Sequence, residues 1–337
     1  MKKVGKGIVM LGIFSFIFLS FGIQNAGAQS PEITLRFGGN LPVNHHITRS
    51  QELYAKLVSE KTKGKVKIEV YPAGQLFSDK DLLRALPAGA VDMGEVTCAQ
   101  WTGIVPLWLF LDLALYFKDR PHWHRVIDSE AGEILKQEFD NKSGVKILYW
   151  MDYGSSAVAS KMPLRTLEDF KGKRIRGTGE IVLEAIKALG ASPVFMGGGE
   201  VYMALQRGTI DGANSGVSSF WERKYYEVTK YITLPDMTLG MFATLINKKK
   251  WDSLPNDVQK AMLDAAAEAK DWTRKECEKI DKESLVFLKE KGMDIYDPPE
   301  KEKVRWREAC KPLIDLFLKR AGEEKGKKLL DISEKLR

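Results

Sequence analysis

The sequence predicts an α/β protein of two domains built on parallel sheets, two of them expected. Three observations carry that expectation. Segments that alternate apolar and polar residues take turns with segments that repeat every three to four residues, the signature of β–α–β connectivity. At 337 residues the chain exceeds the usual size of one domain. Between Pro255 and Gly292 a helical repeat persists for about 35 residues, or about 50 Å, more than one domain's width.

In chain order, Ile33 to Phe37 alternates and meets Gly38-Gly39, a strand and a turn. Ser50 to Lys61 sets Leu53, Tyr54, Leu57 and Val58 at helical spacing, and Gly64 ends that helix. Val66 to Tyr71 is the next alternating strand. Asp79 to Leu86 is a short helix with an acidic start, and Glu95 to Thr97 a strand. Trp101 to Tyr116 is an apolar loop, followed by a helix near 121–140 and a buried strand over Val145 to Tyr149. Ser160 to Phe170 reads as a loop and Lys173 to Arg176 as a strand. Glu180 to Leu189 is a helix capped by Gly190, and Glu200 to Arg207 one closed by Gly208. In the long helix Val258, Met262, Ala265, Ala269, Trp272, Ile280 and Phe287 mark the apolar stripe, with Pro255 at its start. A helix of that length bridges two domains.

Hydrophobic residues at 44% and charged residues at 29% exclude a disordered chain and a multi-span membrane protein. The formal charge is +7, and Lys2, Lys3 and Lys6 supply three of those charges at the extreme N-terminus. The remaining excess is spread along the chain without an aromatic-interleaved basic stripe, so no nucleic-acid partner is expected. Those lysines precede an uncharged apolar run over residues 8–23, and Ala26-Gly27-Ala28 supplies a small-residue cleavage box. This is the pattern of a signal peptide over residues 1–28, cleaved after Ala28. The competing reading is an uncleaved anchor, which lacks its basic stop-transfer flank here. The mature chain is expected in the periplasm.

Cys98, Cys277 and Cys310 are too widely spaced for a zinc site, and the sequence leaves open whether any two are joined. His122-Trp-His124 has the wrong spacing for two ligands on one helical face, so no metal is expected. Gly197-Gly198-Gly199 lacks the dinucleotide-binding spacing and reads as a flexible turn, and no cofactor is expected. Neither a phosphate loop nor a Gly-x-Ser-x-Gly elbow occurs, and the chain reads as a non-enzyme.

Met162-Pro-Leu-Arg-Thr-Leu-Glu-Asp-Phe-Lys-Gly-Lys-Arg-Ile-Arg176, then Leu189-Gly-Ala-Ser-Pro-Val194, then Glu200-Val-Tyr-Met-Ala-Leu-Gln-Arg-Gly-Thr-Ile-Asp-Gly212 form a distinctive run. With Leu35 to Asn40, Val70 to Leu76 and Leu86 to Met93, it resembles the DctP-type solute-binding proteins of tripartite ATP-independent periplasmic (TRAP) transporters. The resemblance covers essentially the whole mature chain. It implies a two-lobed periplasmic-binding-protein fold whose long helix bridges both lobes, with lobe one over 30–152 plus 241–280 and lobe two over 153–240 plus 281–337. It implies capture of a small organic acid and delivery to integral membrane subunits of a transporter. A binding protein that serves a signalling receptor, and an exported organic-acid enzyme, are the alternatives.

The family's carboxylate-binding arginine falls on Arg176, whose planar fork of donors matches a carboxylate and keeps its charge. Asn40, Thr97 with Glu95 beside it, and Asn214 and Ser215 fall where relatives place polar contacts. His45, in the loop after the first strand, is a further candidate. Relatives that bind sialic acid carry a second arginine at the position of Ser155, where this chain has no cation. Aromatic residues crowd the segments expected to face the cleft: Trp101, Tyr153, Phe220 and Trp221, with Phe195 and Met196 nearby. Together these features predict one charged anchor, an apolar or aromatic wall and a preference for monocarboxylates with a hydrophobic or aromatic body over dicarboxylates, with small hydroxy- or keto-acids as the alternative.

Overall fold

The computed structural model describes Met1 and residues 31–337; the expected leader falls, beyond its first residue, outside them. The chain opens with β1 (Ile33–Gly38), α1 (His46–Lys61), β2 (Val66–Tyr71), α2 (Asp79–Ala88) and β3 (Met93–Thr97). The apolar stretch that follows holds two 3-10 turns, Cys98–Trp101 and Pro106–Asp112. Where one helix was expected near 121–140 there are two, α3 (Arg120–Ile127) and α4 (Glu130–Ser143), because Ser129 caps the second through its side chain.

Then come β4 (Val145–Ser160), α5 (Leu167–Phe170), β5 (Arg174–Gly177), α6 (Glu180–Ala188), β6 (Ser192–Phe195), α7 (Val201–Arg207), β7 (Gly212–Gly216) and α8 (Val217–Glu222). The last third contains β8 (Tyr231–Asn247), α9 (Lys248–Asp252), α10 (Asn256–Glu290), β9 (Asp294–Tyr296), α11 (Glu300–Cys310), α12 (Leu313–Ala321) and α13 (Glu323–Lys335).

Two separate parallel sheets were expected; one continuous nine-stranded sheet is present, in the order β2-β1-β3-β8-β4-β7-β5-β6 with β9 beside β8. Its two ends are parallel, β2-β1-β3 on one side and β7-β5-β6 on the other. The centre is antiparallel, because β4 and β8, of 16 and 17 residues, run through both halves. A strand of that length spans about 50 Å, so the same two strands join the halves, and one apolar cluster, from Leu82 and Phe139 to Ile175 and Val182, runs across both.

Their pairing slips between Asp152 and Gly154, with Gly154 opposite Gly240. Gly154 has φ +106°, and a Cβ there would stand 2.6 Å from Asp281 Oδ1 on α10. That carboxylate accepts the Ser155 N–H at 3.0 Å and pairs with Arg120.

Helix α10 is one unbroken helix of 35 residues, as the repeat predicts. Val258, Met262, Ala265, Ala266 and Ala269 pack with Leu35, Phe37 and Tyr54 under the first half of the sheet. Leu288, at the other end, packs with Val201, Phe220 and Ile232 under the second half. Between these apolar ends most buried positions carry a polar group, Thr273, Cys277, Asp281 and Ser284, with Ile280 among them. The helix therefore belongs to both cores and crosses the sheet's slip with hydrogen-bonding groups. All three cysteines are buried, and none is joined in a disulfide. Among the described residues no helix is long and apolar enough to cross a membrane.

Candidate functional site

Parallel strands bring the residues that follow them to one edge, and clefts form outside such carboxyl ends. Here β1 delivers Asn40, β3 ends on Thr97, β5 delivers Arg176 and Thr178, and β7 carries Ser215. They surround a small cavity of about 50 Å³, partly open to solvent, which Tyr153, Phe242, Asp79, Gln100 and Arg223 complete. Both ends of the sheet contribute, so the cavity exists only while the two halves face each other. Three contacts close it: Arg223 Nη2 donates to Asn40 O at 3.3 Å, Lys80 pairs with Glu200 at 2.9 Å, and Gly179 lies against Ala99.

Arg176 is 3% exposed. Its Nε donates to Met196 O at 3.0 Å and its Nη1 to Asn214 O at 2.9 Å. Two carbonyls thus fix the plane of the fork and leave Nη2 without a protein partner among the described residues. Burial lowers the pKa of this guanidinium, and among the described residues no carboxylate pairs with it. A buried, unpaired cation is costly, and an anionic guest removes the cost. Arg174, two residues earlier, is bound outside the cavity by Asp211 at 2.8 Å.

Glu95 is fully buried, and its two oxygens accept the Asn40 N–H at 3.2 and 3.1 Å. Burial first, and nearby Asp79 in addition, push its carboxyl up to about 8. Tyr153 stands at the slip in β4. Its hydroxyl meets Ser219 Oγ at 2.6 Å and Ser215 Oγ at 3.1 Å, and its ring tilts on Phe242 at 5.0 Å. A Cβ on Gly216 would come within 2.7 Å of that ring, so only glycine admits it.

The structure gathers Arg176, Asn40, Thr97, Glu95, Tyr153 and Ser215 around the cavity. Asn214 does not line it: its carbonyl accepts from Arg176 Nη1, and its side chain is held by Ser156 and Ala157 on β4. The other candidates lie elsewhere, each for a packing reason. His45 is buried behind Tyr153, stacked on its ring at 5.5 Å, and its Nδ1 accepts the Ile47 N–H to cap α1. Burial pushes its pKa far down, so the imidazole is neutral beside Glu222, whose carboxyl burial raises to about 7.

Ser155 does not line the cavity: its Oγ accepts from Arg120 at 3.1 Å, and its N–H donates to Asp281 of α10. Trp101 is core, edge-on to Phe139, and Phe220 is core beside Tyr225. Trp221 stacks on Phe287 of α10 and lines a separate surface groove. The expected aromatic wall therefore shrinks to Tyr153 and Phe242, with Leu41 and Val96.

Sequence reasoning missed Asp79, Gln100, Thr178, Gly198, Arg223 and Phe242. Arg223 corrects the expectation of a single cation. It caps α8 inside Trp221-Glu-Arg-Lys224, a stretch that reads as a solvated charge run. The signal nearest to finding it was the glycine run: a Cβ on Gly198 would touch the Arg223 guanidinium at 3.3 Å. Asp79 was legible only as the acidic first turn of α2.

Residues 37–320 match the family described as bacterial extracellular solute-binding protein, family 7 (DctP). The chain is 34% identical over 275 residues to the C4-dicarboxylate-binding periplasmic protein DctP of Rhodobacter capsulatus, covering 80% of this chain and 82% of that one. Its fold is similar to the sugar-acid-binding protein DctPAm of Advenella mimigardefordensis in complex with galactonate (TM-score 0.87, 26% identity, 91% of this chain and 99% of that one). It is also similar to a TRAP periplasmic solute-binding protein of Sulfurospirillum deleyianum with bound succinate (TM-score 0.84, 29% identity, 90% and 99%). The two-lobed architecture around a carboxyl-end cleft and the match over most of the chain lead to one conclusion: this protein belongs to the family 7 bacterial extracellular solute-binding proteins.

Proposed function

We propose that this chain captures a small organic acid between its two lobes, with the ligand's carboxylate on Arg176, and presents the closed complex to the membrane subunits of a TRAP-type transporter. The carrying observation is the Arg176 fork, buried, held by two carbonyls and lacking an anion. An organic carboxylate supplies the missing charge through charge-assisted hydrogen bonds. Lobe one comprises 30–152 plus 241–280, and lobe two 153–240 plus 281–337. The boundary falls at the slip between Asp152 and Gly154, where a hinge costs no regular pairing. A ligand that touches both lobes binds the closed form better and shifts the population toward it.

The binding role makes the chain a carrier and not an enzyme. The apolar run at the N-terminus exports it, and cleavage after Ala28 leaves Gln29 as the first residue of a periplasmic protein. The test is Arg176→Lys, which keeps the charge and removes the fork. Calorimetry on the folded variant is expected to show at least a tenfold loss of affinity for a carboxylate, about 1.4 kcal/mol or more. Wild-type affinity in that variant removes Arg176 from the site.

A further inference from the structure

His45 does not line the cavity, yet it is wholly buried at the boundary between the lobes. It caps α1, its Nδ1 accepting the Ile47 N–H at 3.1 Å. A ring nitrogen that accepts carries no proton, so in the neutral imidazole the proton sits on Nε2, which can only donate. Two acceptors are within reach of Nε2: Glu222 Oε2 at 3.4 Å and Ser218 Oγ at 3.5 Å. Both belong to α8 of lobe two and stand four residues apart, on one face of that helix. Glu222 Oε2 has no other partner among the described residues. Arg49 of α1 and the adjacent Arg223 act on Glu222 only through space, and Arg49 is itself bonded to Glu276 at 2.9 Å.

The same helix reaches the cavity wall. Tyr153 lines the cavity, meets Ser219 Oγ of α8 at 2.6 Å and carries the His45 ring stacked on its own at 5.5 Å and 7°. Helix α8 thus holds Tyr153 by its hydroxyl and faces His45 of lobe one through Ser218 and Glu222. At the mouth of the cleft the Lys80 and Glu200 side chains are 44% and 58% exposed, and such a pair contributes little. The His45 and Glu222 side chains are only 0% and 9% exposed. Burial keeps the imidazole neutral and holds the Glu222 carboxyl up to about 7, so at pH 6 an uncharged donor faces an uncharged carboxyl across the boundary. Without an acceptor on α8, closing the lobes would bury the Nε2–H unsatisfied.

We propose that His45 and Glu222 are positioning residues of the binding site, a catch across the lobe boundary that forms when the lobes close, seats Tyr153 against the ligand and fastens the closed form. This rests on the reading of two lobes that close on a carboxylate. Neither residue touches the ligand. At 3.4 Å the contact is longer than a full hydrogen bond, and a ligand that draws the lobes together shortens it.

Two readouts on the mature chain at pH 6 test it. One is calorimetric titration with succinate, galactonate and phenylacetate. The other is the rate at which diethyl pyrocarbonate modifies His45 and His46, told apart by tandem mass spectrometry. His46 is equally buried but bonds Asp152 O within lobe one, so it reports local fraying, whereas His45 reports separation of the lobes. Glu222→Ala removes the acceptor. It is expected to weaken whichever acid the wild type binds at least about threefold. In the ligand-free chain it is expected to speed His45 modification by a similar factor and leave the His46 rate unchanged. Glu222→Gln keeps an acceptor and is expected to recover most of both effects. His45→Asn keeps a cap on α1 but loses the Nε2 donor; it should weaken binding as Glu222→Ala does, and the double variant no further. Unchanged affinity in Glu222→Ala, an unchanged His45 rate, or a rise of both histidine rates together overturns the proposal. If Glu222→Ala does not fold, weaker binding in His45→Asn but not in Glu222→Gln supports the catch, and equal binding by both overturns it. If no acid binds the wild type, the ligand-free His45 rates decide alone. A bound acid that fails to slow His45 modification in the wild type overturns lobe closure itself, which separates that failure from a failure of the catch.

Discussion

Replacing Gly154 with alanine perturbs the crossing point of the two lobes. At φ +106° the backbone is one that an L-residue adopts only under strain, at a cost of roughly 1–2 kcal/mol. The new methyl would also stand 2.6 and 2.8 Å from the two oxygens of Asp281. That carboxylate must move, and in moving it releases the Ser155 N–H and the Arg120 guanidinium, whose side chains in the pair are only 17% and 10% exposed. Breaking a buried pair costs about 3–5 kcal/mol when one charge is left behind. Partial relaxation of the helix recovers some of this, so we expect a total of at least about 3 kcal/mol. At about 2–4 °C per kcal/mol for a chain of this order of size, Tm falls by at least about 6 °C. Differential scanning calorimetry of the ligand-free variant measures it. Because the clash partner is Asp281, Gly154→Ala combined with Asp281→Ala should cost less than the two changes added. A Tm within 2 °C of wild type, or strict additivity, refutes the claim that Asp281 locks the strand at this point.

Other predictions follow from buried groups. Cys98, Cys277 and Cys310 are thiols outside any disulfide and at most 3% exposed, so a thiol reagent should label none in the native protein and all three in denaturant. Rapid native labelling, or a mass two units low that reductant restores, contradicts this. Glu95 carries a folded pKa of about 8, above the ordinary carboxylate value. The stability it confers is fully present below about pH 4 and is lost as pH rises toward 8, when a buried charge must form. Tm of the ligand-free protein should therefore fall between pH 5 and pH 8, and Glu95→Gln should make that fall smaller. An equal fall in the variant assigns the pH dependence to other groups, of which Asp112 and Glu222, both raised to about 7 by burial, are the first to examine.

The parts of the fold legible in the sequence were those whose pattern is local. The strands β1 and β2 alternate cleanly, and α10 repeats over 35 residues, so both were readable by period alone. Strand β8 was not read at all, because a strand buried on both faces shows no alternation, and Leu239 to Asn247 mixes Gly, Thr and apolar residues. The second half of β4, Tyr153-Gly-Ser-Ser-Ala, has the composition of a loop, yet it is held as a strand by pairing with β7 and β8. Missing these two strands is why two sheets were expected where one runs through.

The site divides in the same way. Arg176, Asn40, Thr97 and Ser215 sit at or just beyond strand ends, positions that sequence order predicts. Arg223 caps a six-residue helix and Gln100 lies within a 3-10 turn, elements whose direction only the tertiary structure sets. Trp101 and Phe220 show the opposite error, since a large aromatic beside a site residue is as ready to fill a core as to line a cleft.

The central claim is that a carboxylate completes Arg176. The most direct measurement is a crystal structure of the mature chain with whichever organic acid raises its Tm most. The account predicts the acid enclosed between the lobes, with a carboxylate oxygen within about 2.7–2.9 Å of Arg176 Nη2 and the carbonyls of Met196 and Asn214 still holding the other side of the fork. A bound acid whose carboxylate rests on other groups, with Arg176 bonded only to those two carbonyls, contradicts it.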